Sequence, residues 1–272
     1  MHADSERPEG KSWISRPRLD GEITFEDVHF AYPDQSVDAL RGVSFTIKPG
    51  ERVAVLGRIG SGKSTVARLM LGLYEPRQGA VLMDGIDIRQ IDPGDLRRNV
   101  GSVLQDVWLF TGTVRENIAI GSVHPHDSEI LEAARIAGVE DFISRHPSGY
   151  DLMLAERGEG LSGGQKQAIS LARALVGRPP VMLMDEPTAA MDVQNEAAVI
   201  RALKDHMQGR TLVVVTHRTS LLELVDRIIV IDQGKVSMDG PKSMLTRGRA
   251  QQGASPEKAA TPQREPEDGT PQ

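Results

Sequence analysis

Three short stretches of this 272-residue chain carry residue types that could do chemistry at the spacing chemistry requires. The first is Gly57-Arg58-Ile59-Gly60-Ser61-Gly62-Lys63-Ser64, followed by Thr65. Its G-x-x-x-x-G-K-S pattern lets the backbone curl until successive N–H groups point into one concavity, where a following helix aims its positive end. Lys63 would place a point charge on the β- and γ-phosphates of a nucleoside triphosphate, and the Ser64 hydroxyl would ligate Mg²⁺. The second stretch, Val181-Met182-Leu183-Met184-Asp185-Glu186, is an apolar run ending in two adjacent acids. Neighbours on a strand face opposite ways, so Asp185 could serve a metal ion while Glu186 orients and deprotonates a water. The third, Leu161-Ser162-Gly163-Gly164-Gln165, has a helix-capping serine and two glycines that expose backbone N–H groups. It reads as a second anion-binding device in one chain.

The elements that must hold these residues are legible around them. Val53–Leu56 is a short apolar run suited to a strand buried on both faces, and Val66, Leu69, Met70 and Leu73 recur at helical spacing after the glycine-rich loop. Strand, loop, helix is the order such a loop requires. Before it, the stretch from Gly21 to Pro33 and the run Val43–Ile47 read as half-exposed antiparallel strands, the second closed by Pro49-Gly50. After it, strands are expected over Gly79–Met83, Gly101–Leu104, Pro180–Met184, Thr211–Val215 and Arg227–Ile231, the last taken as the final core strand. Helices are expected over Thr113–Ile118, Asp127–Ala137, Val139–His146, Gly163–Val176 and Asn195–Met207. Shorter helical turns are expected over Asp95–Val100 and Leu221–Val225. Strands alternating with helices imply an α/β fold, a mainly parallel core sheet covered on both faces. The antiparallel strands form a β subdomain, and a helical subdomain is inserted at about 107–165.

Length and composition suit a globular protein of one large domain or two small ones. A net charge of -6 and the lack of a basic stripe argue against a nucleic-acid partner. With no cysteine there is no disulfide or thiolate metal site. No apolar run approaches the ~18 residues that would span a bilayer, so the chain itself reads as soluble. Residues 1–20, polar and with Pro8 and Pro17, read as a linker or expression remnant, with order starting at Gly21. Residues 21–245 read as the working domain, and 246–272, rich in Gln, Pro, Glu and Gly, as a disordered tail. His124-Pro125-His126 is more simply solvated than metal-binding. Trp13 is compatible with packing on the domain edge or with a free linker, and Trp108-Leu109-Phe110 with either a surface patch or burial.

Taken together, GRIGSGKS, LSGGQ and VMLMDE resemble, in identity and in order, the nucleotide-binding domain of ABC (ATP-binding cassette) transporters from Gly21 to about Leu245. The resemblance implies the P-loop ABC ATPase fold, with ATP and Mg²⁺ as ligands. It makes Tyr32 the aromatic that stacks on adenine, and Gly57, Gly60, Ser61, Gly62, Lys63, Ser64 and Thr65 the phosphate-binding set. Ser64, Gln105 and Asp185 become the residues serving the metal. Glu186 becomes the general base, Gln105 the sensor between core and helical subdomain, His217 the reader of the γ-phosphate, and Asp192 the aspartate of the D-loop. In this family two domains dimerise head to tail around ATP, so Ser162, Gly164 and Gln165 would act on the nucleotide bound by a second copy.

Finer features point within the family. Arg58-Ile59, Asp92-Pro93-Gly94-Asp95-Leu96-Arg97-Arg98, Gly158-Glu159-Gly160 and Met191 resemble type I secretion ATPases, inner-membrane exporters of RTX proteins and adhesins in Gram-negative bacteria. Glu156-Arg157-Gly158-Glu159-Gly160 resembles the exporter loop that touches the membrane domain. The implied partners are that transmembrane domain, a membrane fusion protein, an outer-membrane channel and a polypeptide cargo, at the cytoplasmic face of the inner membrane. On this reading the chain is an excised motor domain. A lipid, drug or peptide exporter shares every ATP motif, and a soluble ABC ATPase of DNA repair or translation is the rival from another class.

Overall fold

The structure, a computed structural model, describes residue 10 and residues 12–33 and 35–245. The expected tail, 246–272, and the first nine residues lie outside the described residues. In chain order the elements are β1 (Ile23–Phe30), β2 (Leu40–Ile47), β3 (Arg52–Leu56), α1 (Lys63–Met70), β4 (Gln78–Met83), β5 (Ile86–Asp87), α2 (Pro93–Asn99) and β6 (Val100–Val103). A mostly helical stretch follows with β7 (Gly112–Thr113), α3 (Val114–Ala119), α4 (Asp127–Ile136), α5 (Glu140–Ile143) and β8 (Met153–Leu154). The chain then returns to the core through α6 (Gly163–Leu175), β9 (Val181–Asp185), α7 (Val193–His206), β10 (Thr211–Val215), β11 (Arg227–Asp232) and β12 (Lys235–Pro241).

Two main sheets form. One is antiparallel in the order β2-β1-β4-β5; the other runs β12-β11-β3-β10-β9-β6, parallel except for β12 at its edge. Side chains alternate across each parallel strand, and this divides the core in two. Met182 and Met184 of β9 and Leu212 and Val214 of β10 join the helical stretch, α6 and α7. Their neighbours Val181, Leu183, Val213 and Val215 face α1 and the antiparallel sheet. Both faces are covered, which is why these strands read as continuous apolar runs.

Several elements differ from expectation. Arg227–Ile231 is not the last strand, because β12 pairs antiparallel with β11 through a tight turn at Gln233-Gly234. Its exposed, polar stretch Lys235–Pro241 lacks an apolar run to announce a strand. The helix expected over Val139–His146 is only the single turn α5, and Leu221–Val225 is a 3₁₀ turn, Ser220–Leu224. Order also starts before Gly21. Ile14 bridges to Ile91, and Ser15 Oγ and the Arg16 amide both donate to Asp95 Oδ2 at 2.9 and 2.8 Å. Leu19 is buried, with its amide on Asn99 Oδ1, and Trp13 is half-buried. The α2 carboxylate thus fastens the incoming chain.

At the far end of α7, His206 lies 3.8 Å from Glu132 of α4. Burial and the neighbouring Arg210 push its imidazole down to about 4; Arg178 and Arg135 add to this and Glu132 opposes it. A histidine that is neutral in the fold but free to charge in the unfolded chain stabilises above its free value near 6.5, and that contribution is lost as pH falls toward 4. The melting temperature is therefore expected to fall across that window, and to fall less steeply in His206→Gln, as followed by thermal denaturation at stepped pH.

Candidate functional site

The register of the parallel sheet determines where the chemistry gathers. Val55 of β3, Val215 of β10 and Asp185 of β9 sit side by side, and Val103 of β6 pairs with Met184 one step earlier. All four strands therefore end at one edge, the crevice where open α/β sheets bind ligands. From that edge emerge the loop 57–62, the acids Asp185 and Glu186, the switch segment Thr216-His217, and Gln105 two residues past β6.

The loop leaves β3 at Gly57, whose φ is 155°; a Cβ there would lie 2.1 Å from the Ile231 carbonyl oxygen. Gly62, at φ 109°, is also tightly placed: a Cβ there would lie 2.7 Å from Leu40 Cδ2 and 2.8 Å from the Ala39 carbonyl oxygen. The loop then feeds α1, whose first residue is Lys63. The Lys63 ammonium donates to the carbonyls of Gly57 and Arg58, each at 2.8 Å, so it is held inside the curl of its own loop. Burial draws it below the usual lysine range, against the pull of Glu186 and Asp185. Gly60, Gly62, Lys63, Ser64 and Thr65 line a cavity of about 500 Å³ whose other wall includes Tyr32 and Gly234. That volume is in the range of small-molecule sites. The Tyr32 hydroxyl meets Thr65 Oγ1 at 3.0 Å and accepts from Arg68 at 2.9 Å, while its ring stands edge-on to Phe30 and Tyr74. Ser61 is buried, its hydroxyl without a partner.

Asp185 is buried, and burial pushes its carboxyl above the usual range. The Ser64 hydroxyl near it, with Lys63 and Arg68, pulls the other way; Glu186 adds to the push. Ser64 and Asp185 bring hard oxygen donors to one place, a pair that fits Mg²⁺. Among the described residues no group of three or more His, Cys, Asp or Glu could hold a metal alone, so phosphate oxygens would have to complete such a site. Gln105 is exposed at the same edge.

Glu186 has a left-handed backbone, φ 50°, and its amide bonds to the Val215 carbonyl. Its Oε1 accepts from the His217 amide at 2.9 Å and lies 2.6 Å from His217 Nδ1; Oε2 accepts from Thr216 Oγ1 at 3.1 Å. Glu186 and His217 thus hold each other, with the Glu186 carboxylate largely buried and the His217 ring mostly exposed.

The remaining expected site residues lie elsewhere. Ser162 and Gln165 close a reciprocal capping box on α6, with amide-to-side-chain distances of 2.9 and 3.2 Å. Gly163 and Gly164 lie against Ala190, so closely that a Cβ on either would be 3.0 Å from it. Asp192 caps α7 by accepting from the Asn195 amide and side chain. Ser162, Gly164, Gln165 and Asp192 line a separate cavity of about 390 Å³ that shares no residue with the one around Lys63. Within one chain the two anion-binding devices do not meet.

Two groups of residues went unrecognised in the sequence. Gln167 is buried and spans from α6 to the acidic loop, donating to the Glu186 carbonyl at 3.1 Å and accepting from the Ala190 amide at 2.8 Å. Its polar side chain beside Ala168 and Ile169 was the available signal. Glu196 accepts from Thr188, Arg218 and Ser220, and Arg218 also reaches the Ala189 carbonyl. Burial raises the Glu196 carboxyl, but these bonds outweigh it and hold the group low. The network ties the switch segment to the loop after the two acids. Trp108-Leu109-Phe110 is divided: Leu109 is fully buried, whereas Trp108 and Phe110 are each about half exposed beneath the guanidinium groups of Arg157 and Arg173.

Residues 40–189 match the family model described as ABC transporter. The chain is 45% identical over 229 residues to "Cyclolysin secretion/processing ATP-binding protein CyaB" of Bordetella pertussis, covering 84% of this chain and 32% of that protein. It is 40% identical over 249 residues to "Exotoxin translocation ATP-binding protein PaxB" of Pasteurella aerogenes, covering 92% and 35%. Among solved structures, a bacterial Atm1-family ABC exporter with ATP bound superposes with a TM-score of 0.81 at 37% identity, over 93% of this chain and 45% of that one. The chain spans about a third of the length of these curated relatives.

Gln167→Ala leaves the Glu186 carbonyl and the Ala190 amide without their buried partner. A loss of ~1–3 kcal/mol in unfolding free energy is expected from urea titration, together with slower nucleotide turnover.

Proposed function

The chain belongs to the ABC transporter family, and from that premise we propose that it is the ATP-binding and hydrolysing motor of an exporter. In the fuller form of this reading it drives type I secretion of a polypeptide, an RTX-type protein or adhesin, across the bacterial inner membrane. The observation that carries the motor reading is the division of the site. The loop around Lys63 and the capped turn at Ser162 are each built for an anion, yet they line different cavities. A second copy, turned head to tail, supplies what each cavity lacks.

In that dimer the loop amides and Lys63 hold the phosphates of ATP, Tyr32 offers its ring to the adenine, and Ser162, Gly164 and Gln165 of one copy close over the nucleotide of the other. Asp192 sits at the same seam. Ser64, Asp185 and Gln105 would hold Mg²⁺, which when bound offsets charge on the phosphate oxygens. Glu186 takes a proton from the attacking water as its oxygen bonds to the γ-phosphorus and the bond to the bridging oxygen breaks. His217, fixed against Glu186 in the structure, reads the γ-phosphate, and its loss is felt at Glu186 and along the network through Arg218 and Glu196. Binding ATP favours the closed dimer and hydrolysis releases it.

Secretion of a polypeptide is supported by the printed roles of the relatives, one in cyclolysin secretion and one in exotoxin translocation. The proposed partners are a transmembrane domain, a membrane fusion protein, an outer-membrane channel and the cargo, with the domain at the cytoplasmic face. No helix among the described residues is long and apolar enough to cross a membrane. The half-exposed Trp108 and Phe110, adjoining the turn Glu156–Gly158, offer the transmembrane domain an aromatic surface. The likeness to an Atm1-family exporter favours a second reading, the same motor in an exporter of another substrate class.

Glu186→Gln keeps the side chain's shape and an acceptor for the His217 amide, turns the contact with Thr216 into one that residue 186 donates, and removes the proton acceptor. The variant is expected to bind ATP and accumulate as a nucleotide-held dimer in gel filtration, with turnover down ~10²–10⁴-fold. Turnover at the unmodified rate would overturn the assignment.

A further inference from the structure

At the opposite end of the sheet from the nucleotide cavity lies a second polar cleft, of about 520 Å³. Because Thr211 of β10 pairs with Val181 of β9, the residues just ahead of these strands converge there. Arg178 comes from the turn after α6, Arg210 from the turn after α7, and His206 from the last position of α7. Glu132 and Arg135 reach across from α4, and Asp205 completes the charged part of the lining. The cleft thus bridges the helical stretch and the core.

Its electrostatics are unbalanced. Three guanidinium groups face two carboxylates. Arg178 spends one terminal nitrogen, Nη2, on both oxygens of Glu132, at 2.8 and 2.6 Å, leaving the rest of its fork of donors open. Arg210 uses its other terminal nitrogen on the His206 carbonyl. Arg210 Nη1 and His206 Nε2 are both buried without any hydrogen-bond partner. The His206 side chain is only 9% exposed. A buried guanidinium donor left unpaired is costly, and His206 Nε2 joins Arg210 Nη1 as a donor when the imidazole carries its proton there, so one wall of a basic cleft offers two groups to acceptor oxygens. The mutual repulsion is visible in Arg210, which burial and then Arg178 draw below the usual arginine range, against Glu132.

We propose that this cleft binds a phosphate-class oxyanion between Arg178, Arg210 and His206, as a site distinct from the nucleotide cavity. It is large enough for a phosphomonoester as well as for free phosphate. Nothing in the motor reading uses these residues, so the proposal stands or falls apart from it.

The test is a titration of the full chain carrying Lys63→Ala, which weakens phosphate binding at the nucleotide loop, with inorganic phosphate and separately with glycerol 1-phosphate. Binding is followed by melting temperature and by ³¹P line width. A saturable rise in melting temperature is expected. The affinity should fall about tenfold when Arg210→Met removes a charge-assisted donor, and about threefold in Arg135→Gln. Arg135 is exposed, so the second variant reads binding even if the first fails to fold. Equal affinity for both probes would assign the site to the phosphate group alone, and tighter binding of the ester to a phosphorylated metabolite. No saturable effect with either probe, or an effect that Arg135→Gln and a folded Arg210→Met both leave unchanged, would overturn the proposal.

Discussion

The alignment of Val55, Val215 and Asp185 in one row of the parallel sheet is the constraint on which the rest of the structure depends. A slip of one residue in β9 would turn Asp185 from one face of the sheet to the other and carry Glu186 away from the His217 amide. The row is enforced from both faces. Met182 and Met184 are buried on the side of α6, and Val181 and Leu183 on the side of α1. At ~1.5–3 kcal/mol for each fully buried large apolar side chain, a displaced register is far out of reach. The apolar core thereby sets the positions of a few polar atoms at its edge to within hydrogen-bonding distance.

At that edge the polar groups are held in pairs. Lys63 bonds to the carbonyls of its own loop, Glu186 to Thr216 and His217, and Tyr32 to Thr65 and Arg68. These bonds satisfy the buried Glu186 carboxylate and Thr65 hydroxyl, and the contacts of Lys63 are ones that an anion could replace. The loop after Glu186 is tied back to α6 by Gln167 and to the switch by Glu196 and Arg218. Movement of the capped turn at Ser162 would therefore be felt at Glu186 through a continuous run of bonds.

Where one short stretch holds both the chemistry and its support, the sequence was enough to read it. Gly57–Ser64 lies between a strand and a helix of its own making, and Met182–Glu186 is strand and site at once. The features that escaped depend on partners far along the chain. Ser15 meets Asp95 eighty residues away, so the fastening of the incoming chain leaves no local pattern. Lys235–Pro241 is a strand because β11 offers it an edge, not because its own residues favour one. The basic cleft joins Glu132, Arg178 and Arg210, which are ordinary surface charges until the sheet register brings them together. Gln167 was nearer to legible, a polar residue inside an apolar helix face.

In the proposed dimer a working site takes its phosphate loop from one chain and its Ser162 turn from another, and mixing two inactive variants tests this. A Lys63→Ala chain retains an intact Ser162 turn, and a Ser162→Arg chain retains an intact phosphate loop, so only a mixed dimer contains one whole site. Each variant alone is expected to hydrolyse ATP at background rate, and an equimolar mixture to recover a substantial fraction of the activity of the unmodified chain. A mixture as inactive as its components, under conditions where the unmodified chain turns over, would contradict it.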